Sequence, residues 1–297
     1  MRKSLLQILK PKLVNRVKIL GGGTILLKEI TTSQNIVRYN GQSFFEEEDD
    51  IAVETALTII LDGNEFATMV CTPSEWYELV VGFLASEGVI RFYQDIESLH
   101  IDEERGFAYV ELLKKHCIQK DLHSKRFIGS CCGKGRQFYF HNDMKTAKTV
   151  MTKLTITPEQ CRDLMKQLQE SSSHFQQTGG VHNAALCTSD GIVVSRTDIG
   201  RHNALDKLFG YCIMNRIPLK DKIIAFSGRI SSEVLLKAAK IGVGIILTKS
   251  APTNLALDLA EELGITAVGF IRGNGFNVYT HQERIQGFEY NRPSSIL

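Results

Sequence analysis

Two adjacent thiols, Cys131 and Cys132, stand in the stretch Ser130-Cys131-Cys132-Gly133-Lys134-Gly135-Arg136. The glycines and serine describe a loop, and Arg126, Lys134 and Arg136 surround the cysteines with positive charge. Nearby cations favour the thiolate, the reactive form of cysteine. A persulfide is one of the reversible states that such a thiol can hold, so the loop has the makings of a sulfur carrier. The residues alone leave open an inert pair in a surface turn. They argue against a metal site, because adjacent cysteines lack the usual two-residue gap and no nearby Cys/His set completes a tetrahedron.

Three further groups of residues suggest an anionic ligand. In Thr178-Gly179-Gly180-Val181-His182-Asn183, paired glycines permit close backbone approach, and His182 titrates near neutrality. Asp198-Ile199-Gly200-Arg201-His202-Asn203 runs into Asp206-Lys207, and one helical turn separates His202 from Asp206 and Asn203 from Lys207. The helix reads either as a solvated charged face or as an anion clamp with acid–base capacity. The third group is a set of loops, Ser227-Gly228-Arg229-Ile230-Ser231-Ser232-Glu233, Lys249-Ser250-Ala251-Pro252-Thr253-Asn254 and Arg272-Gly273-Asn274-Gly275. Each follows a strand-like run. Ser232 and Thr253 fit ordinary helix caps, whereas Arg229 and Lys249 have no capping role. In an open α/β sheet, ligands gather outside the carboxyl ends of the strands, and helix N-termini there attract phosphate. There is no Walker A sequence, which argues against NTP hydrolysis.

Elements must hold these groups in place. Residues 222–226, 244–248 and 266–271 read as strands, separated by helices over 231–241 and 252–263. That alternation with short connections predicts parallel strands. Before it, 184–187 and 192–195 form a hairpin about Asp190-Gly191, and 203–213 is helical with Leu205, Leu208, Phe209 and Cys212 at core spacing. Thr157-Pro158-Glu159 starts a helix through Glu170. The first part is α+β: extended structure to Tyr39, an acidic loop over Glu46–Asp50, and strands over 51–60 and 65–70 about Asp62-Gly63-Asn64. A helix from Pro73 to Gly88 and a strand pair within 96–113 complete it. The expected organisation is a basic extension over 1–24, an α+β domain over 25–125 and an α/β domain over 126–297 that carries the cysteine loop at its start.

The chain has 297 residues, of which 43% are hydrophobic and 23% charged, with a formal charge of +2. That near-neutrality argues against non-specific nucleic-acid binding, and no apolar run is long enough to span a bilayer. The seven cysteines form no regular framework, which fits a reducing, cytoplasmic setting.

Together these stretches resemble the formate dehydrogenase accessory sulfurtransferase family (FdhD). The resemblance runs through Val53–Leu57, Met69–Thr72, Gly82–Val89, Cys131–Lys134, Thr178–Asn183, Asp198–Lys207, Ser227–Glu233, Lys249–Thr253 and Phe270–Thr280. It implies a cytidine-deaminase-like three-layer α/β domain with parallel strands, plus a smaller N-terminal α+β domain, in a homodimer. It also implies that a cysteine desulfurase donates sulfur as a persulfide on Cys131 or Cys132. The sulfur would pass to the molybdenum (or tungsten) bis-guanine-dinucleotide cofactor, molybdenum bis(molybdopterin guanine dinucleotide), before insertion into the formate dehydrogenase catalytic subunit. GDP or GMP would mimic that client. The implied binding residues are His182, Arg201, His202, Asn203, Ser227, Gly228, Arg229, Ser231, Lys249, Ser250, Thr253 and Phe270 to Gly275, including Ile271. Many family members carry Cys-x-x-Cys where this chain has adjacent cysteines, so either thiol can take the carrier's place. A zinc deaminase-like hydrolase lacks its His-x-Glu and Pro-Cys-x-x-Cys here. A chaperone that binds the cofactor without moving sulfur is the remaining alternative.

Overall fold

The computed structural model describes residues 30–114, 127–128, 147, 149–171 and 178–289. The extension over 1–24, Cys117, Cys131, Cys132 and the basic residues flanking that pair lie outside the described residues.

A six-stranded mixed sheet carries the second half of the chain. Its strands are β8 (His182–Thr188), β9 (Gly191–Asp198), β10 (Ile223–Phe226), β11 (Ile245–Thr248), β12 (Thr266–Arg272) and β13 (Gly275–Val278). The spatial order is β13-β12-β11-β10-β8-β9. The run β10, β11, β12 is parallel, as the strand–helix alternation predicts. The β8–β9 hairpin then joins antiparallel beside β10, and β13 folds back on β12.

Alternating side chains commit the sheet to two apolar layers. Ile223, Ala225, Ile245 and Leu247 face α2 (Pro158–Glu170), whose Cys161, Leu164, Met165 and Leu168 are buried. Thr157 caps this helix in a reciprocal box with Gln160. On the other face, Ile224, Phe226 and Ile246 join one cluster with α3 (Arg201–Met214), α4 (Ser232–Ile241) and α5 (Asn254–Leu263).

The same cluster continues into the first half of the chain. There, a five-stranded sheet ordered β5-β6-β3-β4-β7 uses β3 (Thr55–Leu61), β4 (Asn64–Cys71), β5 (Ile96–Asp102), β6 (Phe107–Leu112) and β7 (Phe127–Ile128). The β3–β4 turn has Asp62 at φ 47° and Gly63 at φ 79°, the left-handed pair that a tight hairpin demands. Helix α1 (Trp76–Ser86) bridges the two halves through α3. Their contact is backbone on backbone. A Cβ at Gly82 would lie 1.8 Å from the Asp206 carbonyl oxygen, and one at Gly210 would lie 1.9 Å from that of Glu78. Gly82→Ala must therefore push α1 off α3. A loss of at least about 1–3 kcal/mol is expected in urea denaturation; unchanged stability would show that the helices can separate freely.

Two expectations about charge are corrected. Glu46–Asp50 is not a loop but part of strand β2 (Phe44–Ala52), paired residue for residue with β1 (Thr31–Tyr39). Arg38 bridges across to Glu47 and Asp49, offsetting part of the repulsion in the acidic run. The polar side of α3 is also not a solvated face. Asn203, Asp206 and Lys207 are 6%, 2% and 0% exposed, because α1 and the β4 end close over them. Lys237 and Ser86 satisfy Asp206 from the neighbouring helices.

Candidate functional site

The edge formed by the start of β8 and the carboxyl ends of β9 to β12 gathers most of the residues singled out from sequence. Asn183 and Ser227 lock β8 to β10 there. The Ser227 amide donates to the Asn183 carbonyl at 3.0 Å, and the Asn183 amide donates to Ser227 Oγ at 2.9 Å. His182 Nδ1 lies 3.5 Å from the same hydroxyl. Burial, together with the charges of Arg201 and His202, holds the His182 imidazole below its ordinary pKa, so it is neutral at pH 7.

Arg201 and His202 open α3 at this edge. The Arg201 stem packs over Gly228, whose missing Cβ would lie 2.9 Å from the Phe226 ring and 3.6 Å from Arg201 Cβ. Its Nε is buried and meets no hydrogen-bond partner among the described residues. His202 Nε2 sits 3.0 Å from Glu233 Oε2 in the first turn of α4.

The neighbouring loops interlock. Thr248 Oγ1 donates to the Gly228 carbonyl at 2.7 Å, Ser250 Oγ to that of Ser227 at 3.4 Å, and Thr253 N to that of Ile230 at 3.0 Å. Arg229 is exposed, and Lys249, Ser250 and Thr253 are half-buried. Ser231, rather than Ser232, caps α4, accepting from Val234 N. Thr253 holds the cap position of α5 but makes no side-chain cap bond, contrary to expectation.

Phe270 holds φ 52°, a strained value for a residue with a side chain, and is 39% exposed. The Arg272 guanidinium lies 5.5 Å from its ring centroid, and Arg272 Nε donates to the Lys249 carbonyl. Gly273, Asn274 and Gly275 are exposed in the turn to β13, where Asn274 accepts from Arg162 at 3.4 Å. Ile271 is buried in the layer under α2 and Asn203 inside the protein, so neither lines this edge as an open side chain.

Asn203 instead belongs to a group that sequence reasoning did not assemble. Asp198, wholly buried, accepts five hydrogen bonds. One oxygen takes Gly200 N (2.8 Å) and Asn203 Nδ2 (2.9 Å); the other takes Thr72 N (3.1 Å), Thr72 Oγ1 (3.0 Å) and Lys207 Nζ (2.9 Å). Lys207 is itself fully buried and also donates to Thr72 Oγ1 and the Thr197 carbonyl. This hub fixes the turn that presents Arg201 and His202, and ties it to the end of β4. Thr72 lay among the stretches carrying the family resemblance, but nothing local pairs it with a residue 126 positions away.

The thiols divide sharply. Cys71, Cys161, Cys187 and Cys212 are buried and unpaired, and burial pushes each up to about 12. For Cys71, the Asp198 carboxylate adds to that effect. They are core side chains rather than nucleophiles. Brief maleimide treatment of the native protein is expected to leave Cys71, Cys161, Cys187 and Cys212 unlabelled, with all four labelled after denaturation. An adduct on any of those four under native conditions would contradict it.

Strand β7 fixes where the two candidate carriers are tethered. It runs parallel to β4, with Phe127 opposite Thr68 and Ile128 opposite Met69. The chain thus leaves β7 toward the Thr72 end of β4, where the Asp198 hub lies. Cys131 follows Ile128 by three residues, a tether of at most about 11 Å.

The model of the FdhD/NarQ family matches residues 52–286. A "sulfur carrier protein FdhD" of Geobacillus kaustophilus is 63% identical over 250 residues, covering 84% of this chain and 95% of that one. The protein of the same name from Bacillus subtilis is 57% identical over 258 residues, covering 87% and 98%. Among solved structures, a putative formate dehydrogenase accessory protein from Desulfotalea psychrophila aligns with a TM-score of 0.71. It shares 24% identity, and the alignment covers 86% of this chain and 100% of that one, a likeness of fold. The chain belongs to the FdhD/NarQ family.

Proposed function

We propose that this protein is a sulfur carrier for formate dehydrogenase, working as a cytoplasmic homodimer whose larger half is a deaminase-like three-layer domain. The thiolate of Cys131 or Cys132 attacks the terminal sulfur of a cysteine desulfurase persulfide. The S–S bond of the donor breaks, its cysteine leaves as thiolate, and the carrier holds the new persulfide. The recipient of that sulfur would be the molybdenum (or tungsten) bis-guanine-dinucleotide cofactor, the client bound for the formate dehydrogenase catalytic subunit. Delivery breaks the carrier's S–S bond and returns its cysteine as thiolate. The two electrons that bring the sulfur to the sulfide level come from a small-molecule thiol, which leaves as its disulfide.

One observation carries the reading: β7 runs toward the Thr72 end of β4, which meets the start of α3 at the cationic sheet edge, and β7 ends three residues before Cys131. Arg201, with a buried N–H in need of an acceptor, and the loops of Arg229, Lys249 and Arg272 suit the diphosphates of such a ligand. The exposed Phe270 ring offers a stacking surface for a base. Neutral His182 can accept a proton at this edge, and His202 Nε2 lies 3.0 Å from the Glu233 carboxylate.

Incubation with a cysteine desulfurase and cysteine should add about one sulfur atom to the peptide holding Cys131 and Cys132. No gain of mass on that peptide would refute the carrier role. The binding half has its own readout. GDP binding, followed by calorimetry, should weaken about ten-fold or more in Arg229→Ala and in Lys249→Ala, as expected for loss of a charge-assisted contact. Unchanged affinity in both would place the nucleotide elsewhere.

A further inference from the structure

The β1–β2 ribbon contains no buried residue. A two-stranded ribbon alone is marginal in water, and this one exposes its largest apolar side chains. Residues directly opposite share a face, so the register places Val37, Tyr39, Phe44, Glu46, Glu48 and Asp50 together. Val37, Tyr39 and Phe44 are 64%, 56% and 74% exposed, with the two rings 4.9 Å apart. Arg38 lies on the other face, engaged with Glu47 and Asp49. The first face is therefore an apolar tip followed by a row of three carboxylates without a basic residue opposite them.

The complement lies elsewhere on the same chain. A groove of about 1320 Å³ opens between the end of α1, the loop that follows it, the end of β6 and the last turns of α3. Among the described residues, Arg91, Lys114, Arg216 and Lys240 line it against one carboxylate, Asp95. Its apolar surface includes Phe92 and Leu113, which are 56% and 62% exposed. No ribbon residue lines the groove of its own chain. The ribbon's base, at Ala52, abuts Gly180 beside the candidate site, whereas the groove sits at the opposite end of α3.

We propose that the ribbon of one copy lays its apolar tip and carboxylate row into this groove of a second copy. The second copy returns the same contact, closing a two-fold dimer. Three carboxylates meet a groove carrying three more cations than anions, and both apolar patches are covered at once. A reciprocal exchange of arms also satisfies both copies equally and leaves no open end for a filament. This inference rests on the two-copy part of the proposed function and not on sulfur transfer.

Sedimentation of the full chain tests it. The wild type should be a dimer that loosens as salt rises. Glu46→Lys/Glu48→Lys/Asp50→Lys, and separately Arg91→Glu/Lys114→Glu, should each raise the dimer dissociation constant at least ten-fold with unchanged circular dichroism. Mixing these two variants should restore a dimer, because both arm–groove contacts again pair opposite charges. Val37→Ser/Phe44→Ser should weaken the dimer without changing charge. A dimer insensitive to the arm variants, as expected if residues 1–28 or another protein cover the ribbon, would overturn the arm exchange alone. So would failure of the mixture to associate. A monomeric wild type would overturn the homodimer as well, leaving the persulfide measurement to judge the carrier.

Discussion

Replacing Cys131 and Cys132 together by alanine is expected to abolish formate dehydrogenase maturation while leaving the fold intact. The reason is the distribution of the remaining thiols. With a pKa pushed up to about 12, Cys71, Cys161, Cys187 and Cys212 are ionised in only about one molecule in 10⁵ at pH 7. They are also buried, so none can replace a lost carrier. The double variant should take up no sulfur from the desulfurase. Each single variant then separates the roles of the two cysteines: the one that loses the added mass holds the persulfide. Maturation that survives the double change would sink the carrier mechanism and favour a chaperone that binds the cofactor without moving sulfur. Cys117 is the internal control, since its replacement should leave sulfur uptake unchanged.

The second large effect is structural and reaches the site from below. Asp198→Ala should destabilise the protein by about 3–5 kcal/mol, the cost of breaking a buried ion pair, because it leaves the fully buried Lys207 only the more distant, partly exposed Glu75 carboxylate at 3.5 Å. It removes the acceptor for Gly200 N, Asn203 Nδ2, Thr72 and the fully buried Lys207. Lys207→Met should cost less. The Asp198 carboxylate keeps four of its five donors, and a methionine stem fills most of the space of the lysine. The double variant should then be more stable than the sum of the two losses predicts, which urea denaturation measures directly. GDP affinity separates positioning from stability. Where the Asp198 variant remains folded, loosening the Gly200 turn should weaken binding through Arg201. Lys207→Met, which leaves the Gly200 and Asn203 bonds in place, should bind nearly as wild type. Equal stability of Asp198→Ala and wild type would show that the hub is dispensable.

Much of this architecture was legible locally. The Asp62-Gly63 and Asp190-Gly191 hairpins, the Thr157-Pro158 helix start and the β10–α4–β11–α5–β12 alternation each depend on residues within a few positions of one another. So does the placement of Ser227, Arg229, Lys249 and Arg272 at strand ends, which the parallel run brings to one edge. What failed were inferences from charge. The Glu46–Asp50 run reads as loop, yet it is a strand because β1 supplies a partner for every residue from Phe44 to Ala52. Asp206 and Lys207 read as solvated or ligand-facing, yet they are buried because Lys237, Ser86, Thr72 and Asp198 satisfy them. Thr253 reads as a side-chain cap, yet its position alone is that of a cap.

From the sequence by itself came the chemistry available: two adjacent thiols in a basic glycine-containing stretch, phosphate-friendly loops, and the family to which those stretches point. Tertiary structure alone decided which polar groups hold the molecule together and which are left to meet a ligand. Asp198 and Thr72 are 126 residues apart, and β7 meets β4 across 59 positions, from Phe127 to Thr68. Spacing along a chain reports neighbours within a turn or a hairpin, whereas burial of a charge depends on partners that only long-range packing brings within hydrogen-bonding distance.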